Sequence, residues 1–170
     1  MTTIEYQAAV LEHKDRVHSY ARYLLRDPEE ASDVAQECLV RLWSHRDRVE
    51  PGHACRNWLL RSAHNLCVDR MRRRAVRLEV RADDVPSDPV DGRPDALRLV
   101  QSSQAARRLE QALLSLSERD RAVVLLREVE GLPYGEIAEM LGLNLGTLKA
   151  TLHRTRDKLR SALVRAEVTP

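Results

Sequence analysis

The segment from Tyr134 to Leu159 restricts the fold of this chain more than any other part of the sequence. A short helical stripe of apolar residues ends at Gly142, and glycine adopts without strain the left-handed conformation that terminates a helix. Asn144 follows two residues later and is a favourable N-cap for a second helix. The spacing therefore predicts a helix-turn-helix, in which the second helix has an inward stripe of Leu148, Leu152, Thr155 and Leu159.

The predicted outward face of this second helix is polar and basic. In a helix-turn-helix, the second helix enters the major groove of DNA with its outward residues. A helical hairpin whose basic face is exposed only to water has the same periodicity. The pattern therefore allows two interpretations, and DNA contact is the more specific one. The candidate contact residues are Thr147, Lys149, Ala150, Thr151, His153, Arg154 and Arg156.

Apolar residues also recur at helical spacing through the N-terminal half. The pattern predicts one helix over residues 6–25, a second over residues 27–43 and a third that begins at residue 57. Asp27 is a suitable N-cap for the second helix, because it is followed by a proline that fits the first helical turn. The intervening residues 46–56 contain proline and glycine and predict a loop.

The composition agrees with an all-α fold. Aromatic residues make up 4% of the chain and phenylalanine is absent, so the core must be built from leucine, valine and alanine, with Trp43 and Trp58 expected inside it. Between residues 79 and 95 the chain is rich in acidic residues, proline and glycine and has no apolar periodicity, which predicts a flexible linker. We expect two small helical domains, an N-terminal bundle at 1–78 and a C-terminal helix-turn-helix domain at 105–170, joined by an acidic linker at 79–104.

Two further charged surfaces lie in the N-terminal half. The outward residues of the second helix carry both charges, which is usual for a face in water. The third helix has five arginines within residues 70–77, which repel one another and favour an anionic partner such as duplex phosphate. A frayed helix end beside the acidic linker is the alternative. The outward residues of the second helix are Asp33, Gln36, Glu37 and Arg41.

Three segments resemble one known family in the same order along the chain. The run from Gly146 to Leu152, continued by Arg154-Thr155-Arg156, resembles the promoter-reading helix of sigma-70 proteins, especially the extracytoplasmic-function (ECF) class. Residues 27–43 resemble the polymerase-binding helix of that family, and residues 57–74 resemble its −10-reading helix. The acidic segment falls where the family has its linker, so the resemblance covers nearly the whole chain.

The resemblance implies a transcription-initiation subunit without catalytic activity of its own. Its partners would be core RNA polymerase, through the clamp helices and the flap, double-stranded promoter DNA and the melted −10 strand. Asp33, Gln36, Glu37 and Arg41 would bind polymerase, and the seven outward residues of the helix-turn-helix would read the −35 element. An anti-sigma factor is implied by the family alone. The residues implied at the −10 element are Arg56, Asn57, Arg61, Asn65, Arg72, Arg73 and Arg74.

This chain departs from the family at two positions of the recognition helix. Thr151 stands where arginine is common, and Ala150 stands where serine is common. Loss of an arginine contact to DNA costs on the order of 1–3 kcal/mol unless a neighbour such as Lys149 or Arg154 compensates. The −35 sequence preference is therefore expected to differ from that of other members.

No pattern in the sequence predicts a cofactor, a metal site or a catalytic constellation. Cys38, Cys55 and Cys67 form no CxxC pair, which favours a reducing cytoplasmic setting, and no apolar run is long enough for membrane insertion. Two other functions remain open from the residues. One is a dimeric helix-turn-helix regulator that binds operators without polymerase, and the other is a thiol or metal sensor built on the three cysteines.

Overall fold

The computed structural model describes residues 1–81 and 104–168, and every regular element in these two ranges is helical. The chain divides into two compact units, Met1–Gly92 and Arg93–Pro170. The predicted all-α fold with two small helical domains is confirmed. Most of the acidic linker predicted for 79–104 lies outside the described residues. None of the helices in the described ranges combines the length and the apolar character that a membrane span requires.

The N-terminal unit consists of three helices that pack against one another: α1 (Thr3–Leu25), α2 (Pro28–Ser44) and α3 (His53–Arg81). Each helix buries one aliphatic stripe, as its sequence pattern predicts. The side chains that are at most 2% exposed include Val17, Leu24, Val34, Leu42, Leu59 and Leu60.

The ends of these helices are set by caps. The Thr2 side chain accepts a hydrogen bond from the Glu5 N–H and starts α1 earlier than the predicted residue 6. Arg26 ends α1 in the left-handed conformation with φ 62°, and Asp27 then accepts from the N–H groups of Glu29 and Glu30 to start α2. The sharp α1–α2 corner therefore requires only two residues.

Helix α3 is longer at both ends than the sequence predicts. It begins at His53, so Arg56 lies in its first turn and not in the loop predicted for residues 46–56. It passes the predicted domain boundary at 78 and ends at Arg81. Proline and glycine at positions 51 and 52 mark the start of this helix, where both residue types are tolerated, and not the middle of a long loop.

The C-terminal unit contains α4 (Gln104–Leu114), α5 (Glu118–Val124), α6 (Tyr134–Leu141) and α7 (Leu145–Val168). A π-helical turn, Leu125–Val129, extends α5 and ends before Gly131, which has φ 67°. The sequence predicts one continuous helix from Arg119 to Glu130, because no residue pattern distinguishes a π-helical turn from an α-helical one.

Arg121 of α5 joins α5 to the end of α4 and is 2% exposed. Its Nε donates to the Leu113 carbonyl at 3.0 Å, and its Nη2 donates to the Leu116 carbonyl at 2.7 Å. Carbonyls at the C-terminal end of a helix lack partners within the helix and attract cations. The buried guanidinium therefore closes α4 and fixes the direction in which α5 begins.

Two histidines of the N-terminal unit, the buried His13 and the half-buried His64, have a lowered pKa. Burial lowers the pKa of His64 to about 4, and the Tyr20 hydroxyl lies 2.9 Å from its Nδ1. Burial is also the main cause that lowers the pKa of His13, which is 2% exposed. Both rings must gain a proton in acid, which the folded core opposes.

We expect the N-terminal unit to lose stability as the pH falls from about 7 to about 5. Histidine in the unfolded chain titrates near 6.5, whereas His64 remains neutral in the folded chain down to about 4. The unfolded state therefore binds more protons in this range, and the free energy of unfolding falls by on the order of 2 kcal/mol for His64. Urea unfolding followed by tryptophan fluorescence measures this, because Trp43 and Trp58 both belong to this unit.

The variant His64→Asn separates this effect from other titrations and should have a flatter pH dependence. The matched control is His153→Gln, because His153 is an exposed histidine of the other unit. Equal slopes for wild type and His64→Asn between about pH 7 and about pH 5 would contradict the assignment to His64.

Candidate functional surfaces

The helix-turn-helix forms as predicted between α6 and α7. Gly142 ends α6 with φ 63°, and the Leu143 N–H donates to the Ala138 carbonyl at 2.8 Å. The Asn144 side chain accepts from the Thr147 N–H at 2.8 Å and starts α7. Ile137 and Leu148 are fully buried, so the two helices pack through the predicted stripes.

The N-terminal half of α7 has a polar outward face. Lys149, Ala150, His153 and Arg154 are exposed, and Thr147 is half-buried beside the cap. Lys149 makes no hydrogen bond or ion pair within the described residues. His153 Nδ1 lies 3.1 Å from Asp157 Oδ2 one turn later. The exposed cations of this face are thus available to an external anion.

Thr151 does not belong to this face, and the prediction that it points outward is wrong. Its side chain is 3% exposed, and its carbonyl accepts from the Thr155 hydroxyl at 2.8 Å. Thr151 precedes the buried Leu152, and its hydroxyl accepts from Arg154 Nη2 at 3.4 Å. The sequence does not reveal this, because a threonine is equally suited to either side of a helix.

Arg156 and Lys158 are exposed, but both are held by carboxylates of the same unit. Arg156 donates from Nε and Nη2 to Glu128 Oε1 at 3.0 and 2.6 Å. Lys158 Nζ lies 2.6 Å from Asp120 Oδ2. Arg156 was predicted as a DNA contact, whereas in this structure it ties α7 to the π-helical turn.

Helix α3 presents a second polar face to solvent. Asn57, Arg61 and Asn65 recur at intervals of four, and Arg72 follows seven residues after Asn65, so all four share one side of the helix. The opposite side carries the buried stripe. Arg72 and the neighbouring Arg73 are exposed and make no ion pair within the described residues. This row contains four of the seven residues that the resemblance implies at the −10 element.

Arg56 and Arg74, which the resemblance also implies at the −10 element, lie on another side of α3 from this row. Arg56 is half-buried and donates from Nε to the Asn57 side chain at 3.3 Å. Arg74 Nη2 lies 3.1 Å from Glu30 Oε2 and 3.4 Å from Asp27 Oδ2, at the start of α2. Much of the charge of Arg74 is therefore offset within the unit.

The exposed face of α2 contains the four residues proposed from the resemblance. Asp33, Gln36 and Arg41 are exposed, Glu37 is half-buried, and Val40 between them is 64% exposed. Arg41 Nη2 donates to Glu37 Oε1 at 2.6 Å. The face thus combines ordered charge with a central apolar residue, which is a composition suited to a protein partner.

Trp43 contributes an exposed aromatic surface that the sequence did not predict. The side chain is 39% exposed, with the Arg46 guanidinium 4.2 Å from its ring centroid and the Tyr6 ring 4.9 Å away. It follows the buried Leu42 directly and so points away from the stripe. Trp58 is half-buried, with its ring 5.7 Å from that of His45.

The three cysteines are buried and reduced. Burial raises the pKa of the Cys38 thiol to about 11 and that of the Cys67 thiol to about 12, and it also raises the pKa of Cys55. The reactive thiolate is therefore disfavoured at neutral pH. Within residues 1–81 and 104–168, no group of three or more histidine, cysteine or acidic side chains is placed to hold a metal ion.

Sequence comparisons match both halves of the chain. Residues 9–77 match the profile of Sigma-70 region 2, and residues 106–159 match that of Sigma-70, region 4. The ECF RNA polymerase sigma factor SigE of Mycolicibacterium smegmatis is 35% identical over 157 residues, covering 92% of this chain. This chain spans 60% of the length of that relative. SigL of Mycobacterium tuberculosis, also an ECF RNA polymerase sigma factor, is 32% identical, covering 93% of this chain and 88% of that protein.

Solved structures show the same fold. The sigma factor RpoE in complex with the anti-sigma factor NepR, from Bartonella quintana, matches with a TM-score of 0.76 and 24% identity, covering 97% of this chain and 98% of RpoE. CnrH, solved in complex with the cytosolic domain of CnrY, matches with a TM-score of 0.63 and 25% identity, covering 95% of this chain and 88% of CnrH.

We expect all three cysteines to resist thiol reagents in the native protein. Cys38, Cys55 and Cys67 are each 0% exposed, so labelling requires local or global unfolding. Titration with a chromogenic disulfide reagent at neutral pH should detect no fast-reacting thiol, and three thiols after denaturation. One or more equivalents that react at the rate of a free thiol would revive the sensor interpretation.

Proposed function

This chain belongs to the ECF class of the sigma-70 family, and on that premise we propose that it directs core RNA polymerase to specific promoters and assists transcription initiation. The observation that carries the proposal is the presence of two outward polar helix faces, one in each family region. The first is on α3, in the part that matches region 2, and the second is on α7, in the part that matches region 4. We further propose functional boundaries at 1–78, 79–104 and 105–170.

The α7 face would read the −35 element from the major groove. The N-terminal turns of a recognition helix carry the base contacts, and exposed cations nearby hold phosphates. Lys149 and Arg154 suit guanine edges or phosphates, and the Ala150 methyl suits an apolar contact with thymine. Thr147 and His153 flank these residues. Burial removes Thr151 from the proposed contacts, and the ion pair with Glu128 gives Arg156 a supporting role.

The α3 face would engage the −10 element. Arg61, Asn65 and Arg72 lie in line along the helix, and Asn57 begins the same row beside the α2–α3 connection. Amide and guanidinium groups provide the donors and acceptors that base edges require. Arg73 would add phosphate contacts. The connection over residues 45–52 would receive an unpaired base, whose unstacking costs a few kcal/mol that protein contacts must offset.

The α2 face would dock on the clamp helices of core polymerase, and the C-terminal unit would contact the flap. Asp33, Gln36, Glu37 and Arg41 supply charge of both signs around the exposed Val40. We propose no catalytic activity and no cofactor for the chain itself, since polymerase performs the chemistry. An anti-sigma factor that covers these surfaces and a cytoplasmic location are parts of the same proposal, and both come from the family resemblance.

The decisive test is transcription in vitro with purified core polymerase. We expect the full chain to produce specific transcripts from a cognate template, such as the upstream region of its own gene, and core polymerase alone to produce none. A helix-turn-helix regulator would bind DNA without supporting initiation. Absence of initiation on every template that the chain binds would exclude the sigma-factor function.

The docking face can be tested in the same assay. The double variant Asp33→Asn/Gln36→Ala should lower the affinity for core polymerase at least tenfold if the pair is central to the interface, because hot-spot residues there cost about 2 kcal/mol or more when truncated. The matched control is Glu29→Gln, which removes one exposed carboxylate at the start of the same helix. Unchanged thermal melting would show that the variant is folded, and unchanged polymerase affinity would refute this docking face.

Two lysines of α7 form a matched pair for the −35 contact. Lys149 is exposed without an ion pair in the described part of the chain, whereas Lys158 is paired with Asp120. Lys149→Ala should weaken promoter binding by the holoenzyme about fivefold or more and lower the salt-dependence slope by about one. Lys158→Ala should change the affinity less than twofold and leave the salt-dependence slope unchanged. Filter binding across a salt series measures affinity and slope, and equal effects of the two variants would contradict this division.

A further inference from the structure

A row of four carboxylates runs along the side of α2 that faces α3. The positions are spaced by three, three and four residues, which keeps them on one side of a helix. Two arginines one turn apart on α3 lie opposite this row, and each reaches two of the carboxylates. The row consists of Asp27, Glu30, Asp33 and Glu37, and the arginines are Arg70 and Arg74.

Arg70 spans the second half of the row. Its Nη1 lies 3.6 Å from Asp33 Oδ2, and its Nη2 lies 3.7 Å from Glu37 Oε2, so the two nitrogens reach different carboxylates. The Arg70 side chain is 24% exposed, whereas those of Asp33 and Glu37 are 66% and 40% exposed. A mostly buried guanidinium thus lies behind two carboxylates that face solvent.

These contacts contribute little to the stability of the fold. Exposed ion pairs contribute roughly 0–1 kcal/mol to folding, and less at separations near the upper limit for an ion pair. Two carboxylates one turn apart on a helix also repel each other. A planar guanidinium that reaches both offsets this repulsion and limits the positions that Asp33 can occupy. Glu37 is also held from its other oxygen, because Arg41 Nη2 donates to Glu37 Oε1 at 2.6 Å.

We propose that Arg70 is a positioning residue for the polymerase interface, which holds Asp33 and Glu37 at a fixed spacing before core polymerase docks. This inference rests on the proposed function of the α2 face. A preordered pair of carboxylates loses less conformational entropy on binding than two freely rotating ones. Arg70 therefore affects the affinity for polymerase through Asp33 and Glu37, which belong to neither of the proposed DNA-binding faces.

The position of Arg70 on α3 separates this role from DNA binding. The residue lies on the side that faces α2, whereas Asn65 and Arg72 lie on the outward side. Arg74 provides an internal control, because it makes the same kind of double ion pair with Asp27 and Glu30. Those two carboxylates lie at the start of α2, outside the proposed docking face.

The experiment measures the affinity of full-length variants for purified core polymerase. Arg70→Gln should weaken binding roughly fivefold to tenfold by removing preorganisation, and Arg74→Gln should change it less than twofold. Arg70→Lys should restore binding only in part, since one ammonium cannot reach both carboxylates as a guanidinium does. Asp33→Asn and the double variant Arg70→Gln/Asp33→Asn complete a double-mutant cycle, in which the two effects should not add.

Each result decides between roles. Unchanged affinity for Arg70→Gln overturns the inference, and so does strict additivity with Asp33→Asn, which would indicate that Arg70 contacts polymerase directly. Equal weakening by Arg74→Gln would indicate a general loss of helix packing and would also overturn it. If Asp33→Asn does not change the affinity for polymerase, Arg70 has no interface residue to position and the inference fails. Transcription in vitro by the wild-type chain would still support the sigma-factor function. Should Arg70→Gln melt below the assay temperature, the cycle is run with Arg70→Lys.

Discussion

The structure depends on helices that are apolar along one side only. With 4% aromatic residues, aliphatic stripes provide most of the buried surface of each unit, and each stripe is just wide enough to meet its neighbours. A helix built in this way leaves its opposite side in water. The packing of α1, α2 and α3 therefore stabilises the unit and leaves the outward sides of α2 and α3 exposed. The proposed contact with polymerase lies on the outward side of α2, and the proposed contact with the −10 element lies on that of α3.

Ion pairs within each unit determine which cations remain for the proposed contacts with nucleic acid. Among the arginines near the end of α3, Arg70 and Arg74 are paired with carboxylates of α2, whereas Arg72 and Arg73 are not paired within the described residues. The same division holds on α7, where Arg156 and Lys158 are paired and Lys149 is not. A count of basic residues overstates the charge that these surfaces offer to phosphate, since counterion release depends on how many phosphates the protein's cations neutralise.

Local chemistry made part of this structure predictable from the sequence. Asp27, Gly142 and Asn144 act on groups within four residues of themselves, and their capping roles are confirmed. Thr151 was placed on the wrong side because its burial depends on other elements, and the ion pairs of Arg156 with Glu128 and of Arg74 with Glu30 were not foreseen for the same reason. The exposure of Trp43 was missed for the same reason, since burial of a large side chain depends on which helix covers it.

The small number of cations without a carboxylate partner in the described ranges bears on the proposed selection of a promoter. Within the described residues, each proposed DNA-binding surface has only a few cations without a carboxylate partner, so each alone would bind DNA weakly and with strong salt dependence. Two weak contacts in one chain become selective when a partner holds both at once, because the second contact then forms at high effective concentration. Docking of α2 on polymerase would supply that condition, and the free chain would seldom be trapped on random DNA. The internal ion pairs that lower the affinity of each surface would thereby make promoter recognition dependent on polymerase.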